Sequence, residues 1–400
     1  MQKGWTGMNR QTRTVLWVMM WLLAWTSASA IPSLALDASR YGKRLEIGSG
    51  DAKVIVLLLK GTPYQMGYAE GKLCSRELRY MVQQVAPLMM AGMKVTPQRV
   101  DDVWKLYTKH LRKDYLEELR GEADGSGIPL REIERLEAIP DISEWHCSFF
   151  AAYGSATKGG DLIQIRALDY TTDAGIQKYP ALKVYMPEHG VPFVNVGWAG
   201  ICGLVSGMNN RGIAMSEIGD DWDMKTDSFD GRPLTYVMRD AVQFGRTLDE
   251  AVRLVKDGPR TTSLLYCLSS ANPPAVRALK TSHAHCYVYT PETLPFPHIA
   301  DTVYMSMGMD SPWNLKISKA LKAIVGKIDV EAAEQLMHTL KTGSLHAVVF
   351  KPGSGDLWVA NAGQTEPGYN RPFVHFNLKQ ALASPFFRSR SAASRAVVRQ

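Results

Sequence analysis

Cys147-Ser148-Phe149-Phe150-Ala151-Ala152-Tyr153-Gly154-Ser155-Ala156-Thr157 is followed by Lys158-Gly159-Gly160-Asp161, by Leu162-Ile163-Gln164-Ile165, and then by Arg166 and Asp169. Small and aromatic residues predict a strand, the paired glycines a turn, and the aliphatic run a second strand. The stretch reads as a β-hairpin whose first strand opens with a thiol and whose second ends in a charged pair three residues apart. One chemical reading is a nucleophile at a sheet edge with a cation and a carboxylate folded back beside it. A thiol of pKa ~8.5 is mostly protonated at neutral pH and needs a base or a cation. Cleavage between His146 and Cys147 would supply the base, because a free α-amino group titrates near ~8. Arg166 would hold charge near the sulfur and Asp169 would hydrogen-bond the new amine. The other reading is a buried structural cysteine with an ion pair nearby, a common use of free cysteine.

Working outward, Cys-Ser-x-Phe-Ala-Ala-x-Gly-x-Ala-Thr, Gly-Gly-Asp-Leu and Arg-x-x-Asp-Tyr resemble the nucleophile region of the N-terminal-nucleophile (Ntn) hydrolases. The resemblance is to the acyl-coenzyme A:6-aminopenicillanate acyltransferase-like branch. Choloylglycine hydrolases, penicillin V acylases and acid ceramidases are more distant relatives. It implies that Cys147 is the nucleophile, that Arg166 and Asp169 support it, and that the peptide before Cys147 is cut autocatalytically. Gly-Thr-Pro-Tyr-x-Met-Gly-Tyr at residues 61–68 and the Leu-His-Ala-Val-Val-Phe phrase at 345–350 extend the likeness over nearly all of 53–380. The implied fold is an α+β, four-layer αββα sandwich with an N-terminal helical segment. The implied activity is hydrolysis or acyl transfer at amide bonds, without a cofactor or metal.

Two positions depart from that pattern. Relatives carry a Thr-Asn phrase where this chain has Tyr304-Met305-Ser306-Met307-Gly308, and an arginine near Ser311-Pro312-Trp313-Asn314. These losses keep open a catalytically retired binding protein, beside a lipid-amide or ester hydrolase of ceramidase type. Asn209, in Gly207-Met208-Asn209-Asn210-Arg211-Gly212, has two readings. Asn and Gly suit a tight turn between strands. In the resembled superfamily this Asn donates to the oxyanion of the tetrahedral intermediate.

The N-terminus reads as an export signal over residues 1–30. Arg10 and Arg13 precede the apolar run from Val15 to Trp25, which ends in Ala28-Ser29-Ala30. That run is short for a membrane span, so no stable span is expected once the signal is removed. An uncleaved anchor is the alternative. The net charge of +7 sits in Lys3, Arg10 and Arg13 at the front and Arg388, Arg390, Arg395 and Arg399 at the back, which leaves the body neutral. No nucleic-acid partner is expected from such a distribution. The partners expected are a small-molecule amide or acyl substrate and the alpha and beta chains of one precursor. The expected divisions are 31–146 (helical segment, candidate alpha chain), 147–386 (core, candidate beta chain) and a disordered basic tail, 387–400.

The five cysteines, Cys74, Cys147, Cys202, Cys267 and Cys286, leave at least one thiol unpaired and permit up to two disulfides in an exported chain. His283-x-His285-Cys286 is a weak metal pattern, read as strand or turn. The chain order predicts a strand at 54–59 and helices at 64–71, 81–90 and 100–120, with a polar break at 121–127. Gly67 and Gly71, four apart, suggest close helix packing in the second of these elements. Strands and two helix pairs follow to residue 376.

Overall fold

The computed structural model describes residues 36–143 and 147–388. The expected signal peptide, His146 of the expected cleavage site and the tail from Ser389 lie outside them. The chain separates into Met1–Asp37 and Ala38–Gln400, and all strands and helices named below belong to the second unit. In order these are β1 (Gly42–Ile47), β2 (Val54–Gly61), α1 (Pro63–Leu73), α2 (Ser75–Tyr80), α3 (Ala86–Gly92), α4 (Pro97–Tyr107), α5 (Lys113–Ser126), α6 (Leu130–Ile142), β3 (Ser148–Gly154), β4 (Gly160–Leu168), β5 (Pro180–Pro187), β6 (Phe193–Trp198), β7 (Gly207–Asn209), β8 (Ile213–Gly219), α7 (Leu234–Phe244), α8 (Leu248–Lys256), β9 (Leu264–Ala271), β10 (Pro274–Thr281), β11 (Cys286–Tyr289), β12 (Thr302–Ser306), α9 (Trp313–Ile324), α10 (Val330–Leu340), β13 (His346–Lys351), β14 (Asp356–Asn361) and β15 (Val374–Asn377).

The strands form two sheets. One has nine strands in the order β1-β2-β5-β6-β7-β8-β9-β10-β11, the other six in the order β12-β3-β4-β13-β14-β15. β2 shows why its sequence is apolar throughout. Val54, Val56 and Leu58 share a core with Leu182, Val196, Val348 and Phe350, drawn from both sheets. Ile55, Leu57 and Leu59 belong to the core that holds the helices. A strand covered on both faces has no polar face to alternate with. α7 and α8 pack on β8 and β9 of the larger sheet, and α9 and α10 on β12, β13 and β4 of the smaller. The layers are therefore helices, sheet, sheet, helices: the expected αββα sandwich of an α+β fold. Between the sheets, Gln164 on β4 donates to Ser216 on β8 at 2.8 Å and accepts from Ser269 on β9.

The front segment is more than a helical cap. β1 and β2 extend the nine-stranded sheet, β2 pairing in parallel with β5. Thr62 caps α1 through a capping box with Gln65. The expected polar break at 121–127 is instead helix through Ser126, and the expected helix over 100–120 is two, α4 and α5. The reason is a double glycine contact. A Cβ on Gly67 would lie 1.9 Å from the Glu118 carbonyl oxygen, and one on Gly121 would lie 2.1 Å from that of Tyr64. Gly71 and Gly125 repeat the arrangement one turn on. Glycine in α5 serves backbone-to-backbone packing against α1, and its helix-breaking tendency is overridden. β1 and β12 have no counterpart in the sequence reading.

Candidate active site

Cys147 stands immediately before β3, and its carbonyl oxygen accepts from the Met307 N–H at 2.8 Å, just past the end of β12. Ser148 pairs with Ala167, so one step back along the antiparallel register Cys147 lies beside Leu168 at the end of β4. The side chain is 2% exposed. It lines a pocket whose walls include Met89, Ile176, Trp198, Ile201, Val205 and Leu234. Polar lining comes from Arg166, Glu217, Thr235, Ser143 and Tyr170.

Arg166, on β4 and 1% exposed, sends Nη2 to Glu217 Oε2 at 2.6 Å and Nη1 to the Ala167 carbonyl. The Cys147 thiol is raised to about 11: burial is the main cause, Glu217 and Asp169 add to it, and Arg166 opposes it by charge and hydrogen bonding. Burial also works against the Arg166 charge, but Cys147 and Glu217 together raise its pKa above the ordinary value. Glu217 is raised by burial and held down by Arg166. In the chain with its backbone continuous at Cys147, the sulfur is therefore a protonated thiol at neutral pH. A cation stands ready to stabilise the thiolate once a base removes the proton.

Asp169 reaches the same neighbourhood with both oxygens engaged. Oδ1 accepts from the Gly343 and Ser344 N–H groups at 2.9 and 2.8 Å, and Oδ2 from Thr342 Oγ1 at 2.6 Å. Thr342 Oγ1 also lies 2.9 Å from Ser148 Oγ, so this loop ties Asp169 to the residue after the thiol. Oδ1 has both of its acceptor sites occupied, and Oδ2 retains one beyond these bonds.

The oxyanion role expected for Asn209 finds no support in the geometry. Its Nδ2 donates to the Val242 and Gly245 carbonyls, both at 2.8 Å, and its Oδ1 accepts from Arg211 and Ile213 N–H. Every hydrogen-bonding position of the amide is spent on closing the β7–β8 turn and tying it to the end of α7. Asn209 is not among the residues lining the pocket. Turn chemistry accounts for it. Asn314, in the segment where the pattern departs, likewise bonds the backbone of Ser306, Gly308 and Met309. Sequence reasoning missed Glu217. Its one signal was a carboxylate inside the apolar run Ile213-Ala214-Met215-Ser216-Glu217-Ile218, where a charge requires a partner.

A buried polar network locks the front helices onto the pocket wall. Lys183 on β5 lies 3.2 Å from Glu70, and Arg239 on α7 pairs with Glu118 at 2.6 Å. Glu137 on α6 accepts from the Cys202 and Gly203 N–H groups and from Tyr236. These bonds fix the 199–206 loop that carries Ile201 and Val205. Glu70, Glu122 and Cys202 form the one metal-like cluster among the described residues, but Lys183 already supplies its cation. His283 and His285 turn Nδ1 to the Arg260 carbonyl and to Asp223 respectively. All five cysteines are free thiols, so no disulfide forms.

No family model matches the chain. It is 28% identical over 391 residues to Protein dcd1A of Dictyostelium discoideum, with 88% of each chain covered. Among solved structures it is similar to the Caenorhabditis elegans N-acylethanolamine-hydrolyzing acid amidase ortholog, at 15% identity and a TM-score of 0.41 over 52% of this chain and 93% of that one. A conjugated bile acid hydrolase from Clostridium perfringens gives 9% identity and a TM-score of 0.42 over 60% and 94%.

Proposed function

We propose that this chain is an exported cysteine Ntn amidohydrolase or acyltransferase that matures by cutting itself before Cys147. The observation that carries the reading is the buried Cys147 thiol in an apolar pocket, coupled to an Arg166 that is itself backed by Glu217. The Cys-x-x-Phe-Ala-Ala and Arg-x-x-Asp phrases support it independently.

In the first step the Cys147 sulfur attacks the His146 carbonyl and the acyl group moves from nitrogen to sulfur. Water then cleaves the thioester, leaving a His146 carboxylate and a free α-amino group on Cys147. That amine takes the thiol proton, directly or through a water, and Arg166 stabilises the thiolate. The thiolate attacks an amide carbonyl, the protonated amine leaves, and water or an acceptor amine resolves the acyl-enzyme. Asp169, held by the 342–344 loop, would orient the new amine. The apolar pocket wall suits a hydrocarbon-rich acyl group.

Sequencing the N-terminus of the purified large chain tests the reading: Cys147 is expected in first position. An uncut chain that turns over amides refutes it. A retired site would show no preferential labelling of Cys147 by a thiol-directed acyl electrophile.

A further inference from the structure

Three buried hydroxyls connect the residue after the thiol to Asp169. Ser148 on β3 lies opposite Ser306 on β12 in the antiparallel register, and their Oγ atoms are 2.8 Å apart. Thr342 Oγ1 lies 2.9 Å from Ser148 Oγ and 2.6 Å from Asp169 Oδ2. All three side chains are closed off from solvent. Proton counting fixes the direction of this hydroxyl chain. Each hydroxyl has one proton to give, and an ionised carboxylate only accepts. Thr342 therefore donates to Asp169, Ser148 donates to Thr342, and Ser306 donates to Ser148. Away from water such a chain polarises along its length, toward the carboxylate.

The backbone adds two donors to the same carboxylate. Lys341 ends α10 at φ 55° and Gly343 follows Thr342 at φ 90°, so the chain is left-handed on both sides of Thr342. A Cβ on Gly343 would lie 2.9 Å from that of Ala347, which leaves glycine as the residue that fits. The turn presents three successive donors to Asp169: the Thr342 hydroxyl and the Gly343 and Ser344 N–H groups. With Oδ1 filled, Thr342 decides whether Oδ2 offers one open site or two.

We infer that Thr342 is a positioning residue: its hydroxyl, aimed by Ser148 and Ser306, leaves Asp169 a single acceptor site for the α-amino group of the cut chain. The inference rests on the proposed maturation at Cys147. Only the neutral amine can take the thiol proton. A carboxylate with two open sites would grip the ammonium form through a pair of charge-assisted hydrogen bonds and so hold it protonated. One open site weakens that grip and keeps the amine available as a base. The charged groups around Cys147 are Arg166 and Asp169, on β4 and just past its end, and Glu217 on β8. His346 on β13, near Arg166, is buried and neutral. Replacing Thr342 leaves all of these in place, so a change in the amine reports the hydrogen bond.

The test reads that amine in mature protein. With the Cys147 sulfur capped as its methyl disulfide, the amine titrates alone. Trace acetylation across a pH series, followed by mass spectrometry of the N-terminal peptide, gives its pKa. Thr342→Val and Thr342→Ala both remove the hydroxyl but pack differently, so either serves if the other fails to fold. Each is expected to raise the amine pKa by about one unit, while Thr342→Ser, which keeps the donor, stays close to wild type. Deletions that keep the wild-type value overturn the inference and leave the maturation reading standing. A serine variant displaced as far as alanine would mark a packing role and overturns it too. A wild-type chain with no free α-amine at Cys147 removes both the maturation reading and the inference, and N-terminal sequencing tells that failure from the others.

Discussion

Arg166 and Glu217 are bonded at 2.6 Å across the two sheets, both nearly solvent-free, with the Cys147 thiol against the guanidinium. The carboxylate holds the arginine in place but also opposes the thiolate. Glu217→Gln keeps an acceptor for Nη2 and removes the negative charge. Two outcomes are expected. Stability falls by about 3 kcal/mol, because Arg166 loses its buried counter-charge. The Cys147 pKa drops below about 11, read as faster alkylation of Cys147 at a fixed alkaline pH by mass spectrometry. A slower alkylation would show that Glu217 acts chiefly by positioning Arg166.

Cys147→Ala should yield a folded, uncut chain with no amide turnover, and Cys147→Ser should slow both maturation and turnover. Intact-mass measurement separates the forms: wild type is expected to show a chain running from Cys147 to Gln400, the alanine variant none. Processing that persists in Cys147→Ala would move the nucleophile elsewhere.

The α1–α5 contact makes a stability prediction free of catalysis. Gly121→Ala places a methyl group 2.1 Å from the Tyr64 carbonyl oxygen. The helices must separate, at a cost of about 3 kcal/mol or more. Gly92→Ala, at the end of α3, meets nothing within 4 Å and should be neutral or slightly stabilising. Urea denaturation of the two variants gives the comparison. Equal midpoints would mean that the helix contact is loose in solution.

His346 is buried and its pKa is lowered from 6.5 to about 3, first by burial and then by the nearby Arg166 charge. The folded value lies below the unfolded one, so folding disfavours the proton. Stability from this group is intact above pH 6.5 and declines as pH falls toward 3, by about 1.4 kcal/mol per unit. Asp141 runs the other way: burial raises it to about 6, and its contribution falls as pH rises from 3.8 to 6. Comparing wild type with His346→Gln cancels Asp141 and all groups common to both. Between pH 6.5 and 5 the wild type should lose about 2 kcal/mol more than the variant. Parallel pH profiles would place a charged or exposed imidazole at this position.

Much of the fold was legible in local pattern. The β3–β4 hairpin, the β7–β8 turn, α7, α8 with its Thr247 cap and α10 all carry their own turn, cap or periodicity signals. β1 and β12 were missed for different reasons. β1 pairs with its chain neighbour β2, but Gly42-Lys43-Arg44-Leu45-Glu46-Ile47 is an exposed, charge-rich edge with no apolar alternation to read. β12 borrows its pairing from a distant partner, finding β3 across about 150 residues of chain. α5 was misread because Gly121 and Gly125 look like a break until α1 is laid against them.

The site divides along the same line. Residue type and spacing alone singled out Cys147, Arg166 and Asp169, since a thiol, a cation and a carboxylate on one hairpin are brought together by short-range pairing. For Asn209 they left turn chemistry open beside the oxyanion role that the resemblance implied, and its actual neighbours favour the turn. Only the stacking of two sheets joined Glu217 to Arg166, and only the tertiary fold brought Thr342 to Asp169. Those residues are distant in sequence and share no motif, and what makes them informative is burial, which a chain acquires only when its layers close.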